Sequence, residues 1–402
     1  MPAPGQGDRS ESAAGPDTRS AAKFHRYPFY APRFWHGMRP LAWLGLLRQG
    51  GFRIHPSRWT HLIGVSFATP WNTVLAGIQW ALFSRTLAKA ELHGPPVFIV
   101  GHWRSGTTLL HELMVLDERY SSPSTFQCFA PHHFLVSEWF FRRFLGWLIP
   151  GKRPMDNMSA GWERPQEDEF ALLNLGLPSP YRRIAFPRQP PIDLDYLDFK
   201  NVAEEDVRHW LQTLREFMLA VSTATGRPLV IKSPTHTGRL AQLAAAFPDA
   251  RFIHVTRDPR SLFPSTLRLW TSLSENQGMQ PPGDPEAGAP ALSPEKEYVI
   301  ECLRRMYDSF HAVRGDIDPN RIVDIRYEDL AADPVATLQT VYRSLRLSDF
   351  ESVRPVIEAW AHTEHRAYQT NRHRLSESDE AAIRTAWKDY FETYGYASDA
   401  SS

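Results

Sequence analysis

A glycine-containing loop at residues 101–108 carries the clearest chemistry in the chain. It reads Gly-His-Trp-Arg-Ser-Gly-Thr-Thr and lies between a short apolar run and a segment with leucines at helical spacing. Such a strand–loop–helix unit presents backbone N–H groups and a helix N-terminus to an anion, and the Ser and Thr hydroxyls add donors. Its G-x-x-x-x-G spacing is that of a P-loop, but Thr107 replaces the lysine that an ATPase needs. The loop is therefore predicted to bind phosphate without the parts for ATP hydrolysis, with Arg104 as an additional charged contact.

A second anion site is predicted at the end of another apolar run, residues 251–256. Arg257 follows this run, and Ser265 comes eight residues later, about two helical turns further on. Ligands of open α/β sheets collect at the carboxyl ends of the strands, so both side chains can reach one phosphate. Together with the loop, this pair indicates a doubly phosphorylated nucleotide.

These residues together resemble the sulfotransferases that use 3′-phosphoadenosine-5′-phosphosulfate (PAPS). The resemblance covers roughly residues 95–385, and the blocks GHWRSGTTLLHEL and IKSPTHT are similar to a large bacterial-type subgroup. It implies that the 5′-phosphosulfate is held by Arg104, Ser105, Gly106, Thr107 and Thr108, and the 3′-phosphate by Arg257 and Ser265. The later Tyr-Glu-Asp-Leu at 327–330, followed by Asp333-Pro334, also resembles the family.

Two positions depart from the family branch that sulfates hormones and phenols. That branch has a lysine where this chain has Arg104, and its Arg-Lys-Gly motif near the C-terminus is absent. A basic run containing Arg372 and Arg374 is the proposed substitute for that motif.

The resemblance implies transfer of a sulfuryl group from PAPS to a hydroxyl or amine, in line, with a general base and without a metal. Lys232 matches the family's strand-end lysine and is expected to stabilise the leaving oxygen with Arg104. His236 is the first candidate for the base, although the family's catalytic histidine falls at the position of Pro234.

Other candidates for the base remain open. The rivals are Glu167 and Glu169 in an acidic cluster that would equally suit the first turn of a helix. His132 and His133 are a third candidate for the base; the alternative is that they line the acceptor pocket. His111 and Glu112 lack the second histidine of a zinc site, so no metal is predicted.

Four strand–helix units are expected to position these residues. The apolar runs at 96–101, 228–232, 251–256 and 321–327 are each followed by a helical pattern, which indicates an α/β fold with a mainly parallel, P-loop-like sheet flanked by helices. The sulfotransferase domain is placed at 95–395. Its inserts are a helical, aromatic segment at 117–227 and a Pro- and Gly-rich loop at 272–297.

Composition restricts the partners. The chain has 402 residues with 45 Lys and Arg against 45 Asp and Glu, so no overall field attracts nucleic acid. Two cysteines suit a reducing, cytoplasmic location. The acceptor is expected to be a small, apolar or lipid-like molecule; the oligomeric state is left open.

The N-terminal part is divided into a disordered leader at 1–22 and a helical region at 23–94. Residues 60–84 contain no Asp, Glu, Lys or Arg, but Pro70 interrupts them. They are interpreted as two helices meeting at Pro70, either buried, which is favoured, or lying on a membrane surface. A second aromatic stretch at 134–150 is expected in the core, with contact to lipid or to the acceptor as the alternative.

Two other functions compete with sulfuryl transfer. A P-loop nucleotide kinase or NTPase would share the loop but needs Mg-dependent ATP binding, against which Thr107 argues. A non-catalytic membrane-docking protein would use the aromatic N-terminal half.

Overall fold

The computed structural model describes residues 27–28, 30–145, 161–282, 293–363 and 375–397. Its described part contains one parallel sheet of four strands in the order β2-β1-β3-β4. The strands are β1 (Val97–Val100), β2 (Val230–Lys232), β3 (Arg251–Thr256) and β4 (Ile322–Arg326). The four predicted strands and the α/β fold class are confirmed.

Helices surround this sheet and form the segments between its strands. They are α1 (Pro40–Gln49), α2 (Trp59–Leu87), α3 (Thr107–Met114), α4 (Thr125–Phe129), α5 (Phe134–Phe144), α6 (Asp168–Asn174), α7 (Glu204–Thr225), α8 (Leu240–Ala246), α9 (Pro259–Gln277), α10 (Pro294–Arg314), α11 (Tyr327–Ala332), α12 (Pro334–Ser344), α13 (Arg354–Thr363), α14 (Glu377–Ala386) and α15 (Lys388–Thr393). Short 3₁₀ helices lie at Phe34–Gly37, Pro56–Arg58, Pro180–Ile184, Leu194–Leu197 and Pro234–Arg239.

Both faces of the sheet are covered, which explains why the inner strand β1 is apolar throughout. Val97 and Ile99 of β1 belong to one apolar cluster, whereas Phe98 and Val100 belong to another on the opposite face. The register pairs Ile99 with Lys232 of β2, and β3 also runs parallel to β1. The carboxyl ends of these strands therefore meet at one edge, where the candidate residues gather.

Helix α2 corrects the interpretation of residues 60–84. It is one helix and not two, although Pro70 lies inside it. Proline has no N–H for the carbonyl of Ser66, but the Thr69 hydroxyl donates to that oxygen at 3.2 Å. The favoured buried interpretation is also wrong, because large apolar side chains of α2 such as Phe67 and Trp71 are exposed.

None of the described helices, α2 included, combines enough length and apolarity to cross a membrane.

The loop predicted at 272–297 is shorter in the structure, because helices extend into the predicted range from both ends. Helix α9 continues to Gln277 and α10 begins at Pro294 with Ser293 as its N-cap. The proposed leader at 1–22 lies outside the described residues. In the aromatic stretch at 134–150, Phe134 is buried but Trp139 is 73% exposed, so core packing describes it only in part.

Candidate active site

The loop between β1 and α3 has the backbone geometry of an anion cradle. Gly101, Arg104 and Gly106 have φ values of 142°, 68° and 103°, in the left-handed region that favours glycine. A Cβ atom on Gly106 would lie 2.4 Å from a ring carbon of Tyr327. The second glycine is therefore required by both conformation and packing, and the Tyr327 ring at the start of α11 supports the loop.

Two polar backbone groups of the loop are hydrogen-bonded to side chains outside it, and one side-chain hydroxyl of the loop has no such partner in the described part of the chain. The Gly101 N–H donates to Oγ1 of Thr237 at 2.7 Å, and the Thr266 hydroxyl donates to the Trp103 carbonyl at 3.2 Å. The Ser105 hydroxyl is buried and finds no partner among the residues the structure describes. A buried polar atom without a partner is costly, so Ser105 points to an anion placed on the N-terminus of α3.

The two predicted phosphate sites form one cluster. Nε of Arg104 donates to Oγ of Ser265 at 3.0 Å, and a guanidinium nitrogen of Arg257 donates to the Arg104 carbonyl at 2.8 Å. The Arg257 guanidinium also stacks on Tyr327, 4.3 Å from the ring centre. Two guanidinium groups and a hydroxyl thus lie beside the loop, where a multiply charged anion would be neutralised.

Lys232 faces this loop and not the solvent. Its ammonium lies 2.7 Å from Oε1 of Glu167 and 3.4 Å from Oγ1 of Thr108, and its side chain is only 2% exposed. Glu167 precedes α6 and reaches the end of β2 through this ion pair. A cation and a carboxylate therefore stand together beside the anion cradle.

Tyr181 completes the surroundings of Glu167. Its hydroxyl donates to Oε2 of Glu167 and accepts from Nε1 of Trp103, the latter at 2.7 Å. Burial, followed by the negative charge of Glu167, raises the pKa of Tyr181 well above its usual value. The phenol therefore keeps its proton and fixes the orientation of the carboxylate.

The neighbouring acidic residue, Asp168, points away from Glu167 into the core. Oδ2 of Asp168 lies 2.8 Å from Nε2 of His236, and Oδ1 accepts from the Ser233 hydroxyl at 2.7 Å. Burial opposes ionisation, but His236 and Ser233 bring the pKa of Asp168 below its usual value. His236 itself is fully buried, with Phe98 and Trp210 against its ring. The structure therefore places His236 in a buried pair and not at the cradle.

Glu169 is likewise engaged in the core. It pairs with Arg239 at 2.6 Å and accepts from the hydroxyls of Thr235 and Ser179, and neither charged side chain is exposed. Despite burial, which raises it, the pKa of Glu169 is lowered by Arg239. The segment Ser233–Arg239 thus locks α6 in place, so that Glu167 meets Lys232.

The histidine pair lies elsewhere. His132 contacts the Asn174 carbonyl at 3.1 Å, and His133 contacts Asn72 of α2 at 3.1 Å. Burial lowers the pKa of each to about 4, so both are neutral at pH 7. They join α2 and α5 to the rest of the chain.

Arg372 and Arg374 lie outside the described residues. Within the described ranges, no group of three or more His, Cys, Asp and Glu side chains is arranged to hold a metal ion.

Sequence reasoning missed Tyr181, Thr237 and Arg239. Tyr181 stands in an ordinary Ser-Pro-Tyr turn, and its contact with Glu167 joins two segments that no motif links. A sequence signal for Arg239 existed, since it follows the IKSPTHT block by two residues and a buried acidic cluster needs a cation.

Comparison with known proteins identifies the family of the chain. A family model described as "Sulfotransferase family" matches residues 95–352. An omega-hydroxy-beta-dihydromenaquinone-9 sulfotransferase, Stf3, of Mycobacterium bovis is 37% identical over 378 residues, covering 94% of this chain and 95% of its own. The protein of the same name from Mycobacterium tuberculosis gives the same values. The chain belongs to the sulfotransferase family.

Solved structures show the same fold at low identity. Sulfotransferase STF1 of Mycobacterium tuberculosis matches with a TM-score of 0.58 and 17% identity, covering 90% of this chain and 94% of its own. STF9 of Mycobacterium avium matches with a TM-score of 0.62 and 17% identity, covering 89% and 96%. The family match and the 37% identical relatives confirm the predicted sulfotransferase activity, and the kinase and non-catalytic alternatives are not retained.

Proposed function

We propose that the protein transfers the sulfuryl group of PAPS to a hydroxyl of an apolar, lipid-like acceptor, with Glu167 as the general base. One observation carries this assignment. The Lys232–Glu167 pair stands at the end of β2, beside Thr108 and the anion cradle, so a charge stabiliser and a base flank the place where a transferred group would lie.

The residues present fit the nucleotide. The cradle supplies the α3 N-terminus, the partnerless hydroxyl of Ser105 and the left-handed backbone at Gly106 for the 5′-phosphosulfate. Arg257 and Ser265 supply a cation and a hydroxyl for the 3′-phosphate. The contribution of Arg372 and Arg374 stays a prediction, as does the cytoplasmic location.

When bound, PAPS supplies an activated sulfuryl group on a phosphate leaving group. Lys232 and Arg104 would neutralise the negative charge that grows on the leaving oxygen as its bond to sulfur breaks. Thr108 lies between the helix N-terminus and the Lys232 ammonium and would donate to the same region. These groups are in place before the reaction, so little reorganisation is needed.

Glu167 is assigned as the base because the other carboxylates and His236 are committed elsewhere. Lys232 and Tyr181 each donate to one of its oxygens, which fixes the carboxylate while leaving lone pairs for the acceptor hydroxyl. The carboxylate takes the hydroxyl proton as the new oxygen–sulfur bond forms. His236 and Glu169 are fully buried in pairs of their own and have no path to an acceptor.

An apolar acceptor is supported by the rings beside Glu167. Tyr181 packs against Phe170, Trp103 and Trp270, with ring centres 4.9, 6.1 and 6.0 Å away. The related mycobacterial proteins are named for a hydroxylated dihydromenaquinone, and their identity to this chain extends over nearly its whole length. We therefore assign a hydroxylated, lipid-like acceptor to this protein as well.

The base is tested by Glu167→Gln. Turnover should fall about 10²–10⁴-fold, the usual contribution of a general base, while affinity for adenosine 3′,5′-bisphosphate changes little. Glu112→Gln is the matched control, because Glu112 pairs only with Arg164 on the surface side of α3 among the described residues. Unchanged turnover of Glu167→Gln would remove Glu167 as the base.

The nucleotide site is tested by thermal shift with adenosine 3′,5′-bisphosphate. Arg257→Ala should abolish the shift, and Arg304→Ala, on the exposed side of α10, should keep it. A shift that survives Arg257→Ala would contradict the proposed 3′-phosphate site. The acceptor class is tested with labelled PAPS and lipid, phenolic and carbohydrate extracts; transfer only to sugars would overturn the lipid-like acceptor alone.

A further inference from the structure

Helix α2 turns mostly polar residues toward the protein and a row of large apolar residues toward its outside. Its buried positions include His61, Thr69, Asn72 and Gln79, which are polar. The large apolar residues Ile63, Phe67, Trp71, Val74, Ile78 and Leu82 recur every three to four positions and are exposed. Because a helix repeats every 3.6 residues, these two sets occupy opposite faces. The apolar stripe therefore points away from the protein.

Hydrogen bonds fix this orientation. Nδ2 of Asn72 donates to the carbonyls of His36 and Met38 at 2.6 and 2.8 Å. Oε1 of Gln79 accepts from the N–H of Leu135 at 2.9 Å. Turning α2 to bury its apolar stripe would break these bonds and leave the His36 and Met38 carbonyls and the Leu135 N–H facing apolar side chains without partners, which is costly. The exposed stripe is thus a stable property of the fold.

Exposed apolar residues concentrate around this helix. Helices α1 and α5, which both pack against α2, carry more of them. Every large apolar side chain that is exposed in the described part of the chain, other than Val356, lies between residues 30 and 144. They are Tyr30, Leu41, Leu44, Phe52, Trp59, Ile63, Phe67, Trp71, Val74, Ile78, Trp80, Leu82, Trp139, Phe140 and Phe144. Such a concentration marks an interaction surface.

The charge around the stripe favours one kind of partner. Residues 30–92 contain seven Lys and Arg but a single Asp or Glu, in a chain with equal totals. Five of these basic residues are exposed, namely Arg39, Arg48, Arg53, Arg85 and Lys89. No charged residue interrupts positions 60–84. An uncharged apolar stripe with tryptophans and a basic surround matches the acyl boundary and headgroups of an anionic bilayer.

We propose that α2, with the exposed sides of α1 and α5, docks on the surface of an anionic lipid bilayer. The helix would lie along the surface with Phe67 and Trp71 in the acyl boundary and Arg85 and Lys89 among the headgroups. This docking needs neither nucleotide nor acceptor, so it does not depend on the assignment of Glu167.

The docked helix is one layer from the candidate active site. Asn72 of α2 holds the 3₁₀ helix Phe34–Gly37 through the His36 carbonyl. Phe34 of that element packs on Phe170 of α6, with ring centres 4.3 Å apart. Helix α6 begins directly after Glu167. A lipid-like acceptor would therefore stay close to the bilayer while it reacts, a consequence that rests on the proposed function.

Vesicle flotation tests the docking without nucleotide or acceptor. The full chain should float with vesicles of phosphatidylglycerol and phosphatidylcholine and less with phosphatidylcholine alone. Phe67→Glu combined with Trp71→Glu should lower binding at least about tenfold, since it places charge in the acyl boundary. Val356→Glu, at the exposed apolar residue on α13, is the matched control and should bind normally.

Arg85→Glu combined with Lys89→Glu should reduce the preference for anionic vesicles. Because all four substituted residues are exposed, the variants should keep the thermal shift with adenosine 3′,5′-bisphosphate, which separates lost docking from lost folding. Failure of the wild-type chain to bind either vesicle would overturn the proposal. So would a dimer in lipid-free solution that Phe67→Glu with Trp71→Glu dissociates, because a second copy would then cover the stripe.

Discussion

Glu169→Gln should destabilise the protein strongly although Glu169 touches neither the cradle nor the acceptor side. The carboxylate accepts four hydrogen bonds, from Ser179, Thr235 and both terminal nitrogens of Arg239. Glutamine replaces one accepting oxygen by an NH₂ group that faces donors, and it leaves the fully buried Arg239 without a counter-charge. Breaking a buried pair from one side costs about 3–5 kcal/mol.

The thermal consequence follows from the size of the chain. An unfolding entropy of about 2.1 cal/mol/K per residue gives about 0.8 kcal/mol/K for a protein of this length. The midpoint of thermal unfolding should therefore fall by about 4–6 °C, and urea unfolding should show the matching loss of free energy. Glu112→Gln, which removes a surface ion pair, should cost less than about 1 kcal/mol.

The pH dependence gives an independent check. The pKa of Glu169 is below its ordinary value of 4.5, so the unfolded chain takes up this proton first as the pH falls. The stabilisation is complete above about pH 4.5 and is lost as the pH drops through the folded-state pKa. Wild type and Glu169→Gln should thus converge in acid. A loss at pH 7 no larger than that of Glu112→Gln would refute the buried-pair argument.

Three further predictions concern the loop, the pH response and α2. Gly106→Ala should abolish the thermal shift with adenosine 3′,5′-bisphosphate, whereas Gly395→Ala, at φ 72° in open space, should cost only about 1 kcal/mol of stability. The pKa of His133 is lowered by burial to about 4, so stability should fall between pH 6.5 and 4, and less steeply in His133→Gln when urea midpoints are compared. Thr69→Val should lower the unfolding free energy by about 1 kcal/mol, and Thr73→Val, whose hydroxyl only supplements a helical bond, should change it little.

The sheet and the clustering of Arg104, Arg257 and Ser265 could be predicted from the sequence because their signals are local. Each strand is a short apolar run, and the loop that follows β1 keeps its spacing within eight residues. The proximity of Arg257 to Arg104 also follows, since parallel strands bring their carboxyl ends to one edge.

The choice among carboxylates could not be predicted in this way. Glu167, Asp168 and Glu169 are adjacent in sequence, but their side chains go to Lys232, His236 and Arg239 respectively. Which one faces the cradle depends on where α6 docks against the segment after β2, a tertiary contact without a sequence period. The prediction of two helices at 60–84 was wrong for a related reason. The Thr69 hydroxyl donates to the carbonyl that Pro70, lacking an N–H, leaves without its helical bond.

The strand order places the residues proposed for the two substrates in different segments of the chain. Because β1 and β2 are neighbours in the sheet but are joined by residues 101–229, the chain makes a long excursion after the cradle loop and α3. Glu167, Tyr181 and α5 all belong to this excursion, residues 115–229. The groups proposed for the nucleotide lie before it, in the first loop, and after it, at the end of β3 and on α9. Lengthening or replacing the excursion alters the acceptor side while the sheet edge is retained. The architecture therefore lets the acceptor-binding segment vary in sequence while selection retains the nucleotide-binding residues. Lys232 is constrained by both substrates, because it lies between the two sides.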